Sequence, residues 1–219
     1  MGTAAVGDYW NHNTAYHPWV LGIAAKHRGD VLDVGCGDGL LAQRLARVSR
    51  SVTGIEPDHA AADRARQRVA DHDVEISRTS FEEFDPGTRR FDLVTFVASL
   101  HHMDLRASLA RARDLLTPSG EIAVVGLSAN KSAWDWAWSA CSLPAVAVGD
   151  RLHRATPDIG VTMAEPRESL GEIRRAVAEV LPGVVIRRKL YYRYVLRWSS
   201  QGSAMHTRFR RNVRVQQTI

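Results

Sequence analysis

Lysine, cysteine and long apolar runs are what this 219-residue chain has little of. Cysteine occurs twice, at Cys36 and Cys141, and neither belongs to a C-x-x-C pair. That excludes a disulfide framework and a thiolate zinc site, and no metal ligand set is expected. No stretch approaches the ~20 apolar residues of a membrane-spanning helix. The first residues carry no charged start leading into an apolar run, so a reduced cytoplasmic protein is expected. Lysine stands only at positions 26, 131 and 189, and the net charge of +5 is carried by arginine. The densest basic clusters come late, at Arg187-Arg188-Lys189 and from Arg208 to Arg214. Charge runs of this kind are usually solvated faces, and a nucleic-acid partner is not expected. The length suits one domain with a full core and a lid or insertion.

What is present is concentrated in Val31-Leu32-Asp33-Val34-Gly35-Cys36-Gly37-Asp38-Gly39-Leu40-Leu41-Ala42. Four strand-forming residues run into three glycines on alternate positions, and an amphipathic helical pattern follows. Strand, glycine turn and helix open a βαβ unit whose loop lets a ligand lie against bare backbone. The spacing is G-x-G-x-G, and Leu40 stands where the dinucleotide fingerprint G-x-G-x-x-G has its third glycine. Asp33 and Asp38 flank the loop and would repel a pyrophosphate but attract a ligand carrying an ammonium and a sulfonium.

The periodicities that follow alternate strand and helix. Residues 51–55 read as a second strand ending at Glu56, whose carboxylate can accept two hydrogen bonds from a ribose diol. Pro57-Asp58 starts a helix to about Val69. Residues 73–77 read as a third strand and 91–97 as a fourth, which leads into a paired His101-His102. A helix is expected over 105–116, and Leu-x-Pro-x-Gly at 116–120 precedes a fifth strand ending near Gly126. Residues 166–181 form an amphipathic helix, and 184–188 with 191–198 a closing strand pair. Upstream, 9–19 is rich in aromatic, amide and imidazole groups and leads into a helix over 18–27.

Together, the glycine loop, Glu56 and the Leu-x-Pro-x-Gly phrase resemble the class I S-adenosylmethionine (SAM) dependent methyltransferases over residues 31–126. The resemblance implies a doubly wound, Rossmann-like α/β fold. Its sheet would have seven mostly parallel strands, the last antiparallel, with a helical cap inserted after strand five. It divides the chain into an N-terminal lid and helix (1–30), a SAM-binding core (31–127) and a helical substrate cap (128–164). A closing helix and hairpin (165–200) and a basic tail (201–219) complete it. It implies SAM contacts by Asp33, Gly35, Cys36, Gly37, Glu56, Pro57, Ser80, Phe81 and Val97, with Trp10 and Tyr16 reaching over from the lid. Ser80 departs from the family, which places Asp there.

The cap carries Trp134, Trp136 and Trp138 on alternate positions. Successive helical residues rotate by about 100°, so the three cannot share one face, and some are expected to meet the core. Trp134, Trp138 and Tyr9 are the expected acceptor contacts, and His101, His102, His12 and His17 the candidate bases. The expected activity is methyl transfer to an oxygen or nitrogen, less readily a carbon, of a small-molecule or natural-product acceptor. The base-methylation motif is absent, since Val97-Ala98-Ser99-Leu100 occupies its place. A peptide or RNA acceptor, or a SAM-binding or partner-binding protein without turnover, stays open.

Overall fold

The computed structural model describes residues 8–140, 151, 165–190 and 192–201. A short 3-10 turn, Thr14–Tyr16, runs into α1 (His17–His27) and β1 (Asp30–Val34). Then come α2 (Leu40–Leu45), β2 (Ser51–Ile55), α3 (His59–Arg68), β3 (Val74–Ser77) and β4 (Phe91–Val97). A second 3-10 turn, Leu100–His102, leads to α4 (Leu105–Asp114) and β5 (Leu116–Leu127). Residues 133–140 are helical (α5), and α6 (Leu170–Val180), β6 (Val185–Arg188) and β7 (Arg193–Ser199) close the chain. Among the described residues no helix is long and apolar enough to cross a membrane.

The strands form one sheet in the order β3-β2-β1-β4-β5-β7-β6. The first five are parallel, and β7 is antiparallel to both β5 and β6. The doubly wound expectation therefore holds. Strand order reverses between β1 and β4, and in such sheets ligands sit outside the strands' carboxyl ends at that reversal.

Two apolar layers clamp the sheet. On one face Val20 and Ile23 of α1, Leu41 and Leu45 of α2, and Ala62 and Ala65 of α3 pack on Val31, Val52 and Leu93. On the other, Leu109 of α4 and Leu170, Ile173 and Val177 of α6 pack on Phe96, Ile122, Val124 and Leu196. Buried strands alternate between the layers, as period-two side chains must.

Several boundaries move for identifiable reasons. Helix α6 starts at Leu170 rather than at 166, because Ser169 and Glu172 close a reciprocal capping box. Helix α3 starts after Asp58, whose carboxylate caps the amide of Ala61 at 2.7 Å. Of the expected cap, residues 141–150 and 152–164 lie outside the described residues, as does the basic tail beyond Gln201.

One contact tests the register at the sheet's centre. Gly126 pairs with Tyr194 across β5 and β7, and a Cβ there would lie 2.2 Å from the Tyr194 ring. Gly126→Ala is expected to cost roughly 1–3 kcal/mol through overpacking, seen as a lower urea midpoint with an unchanged slope.

Candidate functional site

The glycine turn is shaped by close backbone approach. Gly35, Gly37 and Gly39 have φ of 71°, 56° and 81°, the left-handed region that costs a side-chain-bearing residue most. Gly35 is also short of space: a Cβ there would come 2.4 Å from Cβ of Ser99. Ser99, just past β4, donates from Oγ to the Val34 carbonyl at 2.5 Å. It thereby ties the end of β1 to the chain leaving β4. Between them Ala98 holds φ 55°, while its amide donates to the Val125 carbonyl at 2.8 Å. A non-glycine residue in that region marks local strain, and it falls at the reversal of strand order.

Two carboxylates face this turn. Glu56 accepts from the amide of Gly37 at 2.9 Å and that of Asp58 at 3.0 Å. Its side chain is thus oriented by the loop it would share with a ribose. Asp33 is 1% exposed, and its Oδ2 has no hydrogen-bond partner among the described residues. Burial first, and the negative charge of Glu56 second, raise the Asp33 carboxyl to about 7. A buried acceptor with no donor is a costly arrangement that a cationic ligand group would relieve.

Beyond Glu56 a cleft of about 200 Å³ opens between Gly35, Ile55 and Pro57 on one side and Ser80, Phe81 and His102 on the other. The Phe81 ring itself is buried and meets Phe96 edge-on at 5.5 Å between centroids. Ser80 Oγ donates to Glu83 Oε2 at 3.1 Å and accepts the Glu83 amide at 3.2 Å. The serine that replaces the family's Asp therefore shapes a turn.

The N-terminal segment is fastened at both ends. Tyr9 donates its hydroxyl to Asp38 Oδ1 at 3.0 Å, and Arg68 pairs with Asp38 Oδ2 at 2.7 Å. Burial and the Asp38 charge push the Tyr9 phenol well above its usual range. At the other end Asn13 Oδ1 accepts from Nε and Nη2 of Arg193 at 3.2 and 2.9 Å. The segment thus runs from the glycine loop after β1 to the start of β7. In the sheet, β4 and β5 lie between those two strands. Trp10 and His12 stack edge-on along it, 5.2 Å apart, and Tyr16 is half-buried beside α1, its phenol raised mainly by burial.

Three of the expected residues meet partners within the fold. Tyr9, expected at the acceptor, is engaged by the glycine loop. Asp38, expected to act on a ligand by its charge, is neutralised by Arg68. His17, a candidate base, is buried in the packing of α1, and its Nδ1 lies 3.0 Å from Nη1 of Arg44. Burial and the arginine charge lower His17 to about 3, so it stays neutral with that nitrogen occupied. His101 and His102 stack at 4.2 Å, with His102 on the lip of the cleft.

Helix α5 is anchored by a polar residue. Asp135, 7% exposed, is the buried residue of α5, while Trp134 and Trp136 are 69% and 65% exposed and Trp138 36%. None of the three enters the core, contrary to expectation. Asp135 accepts from Ser132 Oγ at 2.7 Å and pairs with Arg188 at 2.5 Å, which holds its carboxyl at about 2. Trp138 donates to the Lys189 carbonyl at 3.1 Å, and neither Trp134 nor Trp138 lines the 200 Å³ cleft. Sequence reasoning missed Arg68, Ser99, Asn13 and Arg193. Arg68 carried a signal, since it continues the buried 61, 62, 65 stripe of α3.

The strand order, the glycine turn and the acidic end of β2 define a doubly wound protein with a nucleoside-sized crevice at its switch point. A family model described as a methyltransferase domain matches residues 31–120. An uncharacterized methyltransferase of Mycobacterium tuberculosis H37Rv is 35% identical over 194 residues, covering 86% of this chain and 96% of its own. A ubiquinone biosynthesis O-methyltransferase of Alkalilimnicola ehrlichii is 37% identical over 108 residues, 48% of this chain and 44% of that protein. The N-methyltransferase NodS of Bradyrhizobium japonicum, solved with S-adenosyl-L-homocysteine (SAH), superposes with a TM-score of 0.56. Identity there is 18%, over 86% of this chain and 88% of that one. The chain belongs to the class I SAM-dependent methyltransferases.

The raised Asp33 carboxyl gives a pH prediction. Its folded-state value lies above the unfolded one, so the stability it contributes is complete below about pH 4 and is lost as pH rises through 7. A ligand ammonium favours the ionised form, so binding expels the proton. SAH affinity is expected to be roughly tenfold weaker at pH 6 than at pH 7.5. Titration calorimetry at the two pH values checks this, and Asp33→Asn should flatten the difference.

Proposed function

We propose that the chain transfers the methyl group of SAM to an oxygen or nitrogen, less readily a carbon, of a small-molecule acceptor of natural-product type. The observation that carries this reading is the segment 9–16, fastened to Asp38 at one end and Arg193 at the other. A segment tied as a strap from the glycine loop to the start of β7 encloses a small acceptor more readily than a polymer. The exposed Trp134 and Trp138 of α5 suit a partner with an apolar or aromatic body. A cytoplasmic setting, which keeps the buried Cys36 thiol reduced, belongs to the same reading.

The residues fit the cofactor. The orphaned Asp33 oxygen suits the amino-acid ammonium, and Glu56 suits the ribose hydroxyls. Gly35, Cys36 and Gly37 supply bare backbone, and Pro57, Ser80, Phe81 and Val97 bound the nucleoside. Trp10 and Tyr16 close the crevice from the strap. SAM supplies a methyl carbon on a sulfonium, open to in-line displacement by an acceptor lone pair. The chain's contribution is to align that lone pair and exclude water, and much of the rate follows from such positioning. His101, His102 or His12 takes the proton of a phenol, alcohol or ammonium acceptor. Where no base is needed, the His101–His102 pair positions the acceptor, with His102 on the cleft's lip. A carboxylate acceptor needs no base at neutral pH.

Incubation with methyl-labelled SAM and the small-molecule, protein and nucleic-acid fractions of a source extract tests the reading. Label is expected in small molecules, and His101→Ala should slow its transfer by about 10²-fold or more if the acceptor is protonated. Label in protein or RNA would replace the acceptor class. SAH binding without label in any fraction would favour a binding protein.

A further inference from the structure

The wall of the cleft formed by residues 80–84 has no regular secondary structure and belongs to a connection from β3 to β4 without a helix. Behind it lies an open groove of about 620 Å³, bounded by Glu82, Asp85, Arg90 and Arg111. The wall thus separates two spaces and has little packed behind it. Its two anchors are the buried rings of Phe81 and Phe84, 2% and 4% exposed. Both of those residues turn their carbonyls to one guanidinium. Arg111, from the middle of α4, donates from Nε to the Phe81 carbonyl at 2.9 Å and from Nη2 to the Phe84 carbonyl. The same group lies over the Phe81 ring, 5.4 Å from its centroid.

We propose that Arg111 is a positioning residue for the cofactor: its guanidinium, clamping the Phe81 and Phe84 carbonyls, sets the wall against which the adenine base is read. Two phenylalanines fix where the wall is rooted, but a ring in a core leaves its own backbone free to tilt. A planar guanidinium with two donors at fixed spacing removes that freedom, which a single ammonium donor cannot do. Hydrogen bonds from a charged donor are also the stronger kind. Between the clamped carbonyls stand Glu82 and Glu83, and Glu83 holds Ser80. A tilt of the wall therefore moves Ser80 and Glu82, both of which line the cleft. Arg111 does this from outside the cleft, since it lines the groove and not the cleft.

The inference rests on the adenosine occupying the cleft between Pro57 and Phe81, and the test separates the two. Binding of SAH and of S-inosylhomocysteine, which replaces the adenine amino group with a carbonyl, is measured for the wild type, Arg111→Met, Arg111→Lys and Glu56→Gln. Arg111→Met is expected to weaken SAH about tenfold and to shrink the preference for SAH over the inosyl analogue, with Arg111→Lys intermediate. Where Arg111→Met does not fold, Arg111→Lys decides by the same ratio. A uniform loss for both ligands with the preference intact, or no loss beside a weakened Glu56→Gln, overturns the role of Arg111. Unchanged SAH binding in all variants, Glu56→Gln included, overturns the adenosine site itself.

Discussion

The contact on which the site depends is the approach of the chain leaving β1 to the chain leaving β4. Gly35 has no room for a Cβ because Ser99 stands there, and Ser99 stands there because its hydroxyl holds the Val34 carbonyl. The two strands are neighbours only because the order reverses between them. Removing the side chain at Gly35 lets the backbone turn at φ 71°, which in turn presents the amide of Gly37 to Glu56. One steric constraint thus aligns the loop, the Glu56 carboxylate and the strained Ala98 at the same edge.

Charge is arranged around that edge with a division of labour. Asp38 is taken up by Arg68 and Tyr9 and becomes a mechanical joint between loop, helix and strap. Asp33, a few residues earlier, is left buried with an oxygen unpartnered among the described residues and its carboxyl raised. The first arrangement holds the fold together, whereas the second costs stability at neutral pH and is relieved by a cation. Asp135 with Arg188 repeats the first pattern at α5, where a polar joint replaces the tryptophan packing the periodicity suggested.

Much of the fold was legible because it rests on local signals. The G-x-G-x-G turn, the alternation of strand and helix, and Glu56 at the end of β2 are all readable one element at a time. What was not legible depends on partners far away in the chain. Nothing local says that Tyr9 meets Asp38, that Asn13 meets Arg193, or that His17 is held by Arg44. The exposed tryptophans of α5 follow from Asp135 taking the inward position, which depends on Arg188, 53 residues on. Ser80 shows the intermediate case: its departure from the family was visible, and its bond to Glu83 was not.

The most direct test of the account is SAH titration of the wild type against Gly35→Ala, with thermal unfolding of both. The account predicts saturable one-site binding to the wild type. In the variant it predicts affinity lower by at least about 30-fold (~2 kcal/mol), reflecting the Ser99 clash and the positive φ, while the protein still unfolds cooperatively. Equal affinity in a folded Gly35→Ala protein would contradict it, since the cofactor would then not depend on the close approach at the switch point.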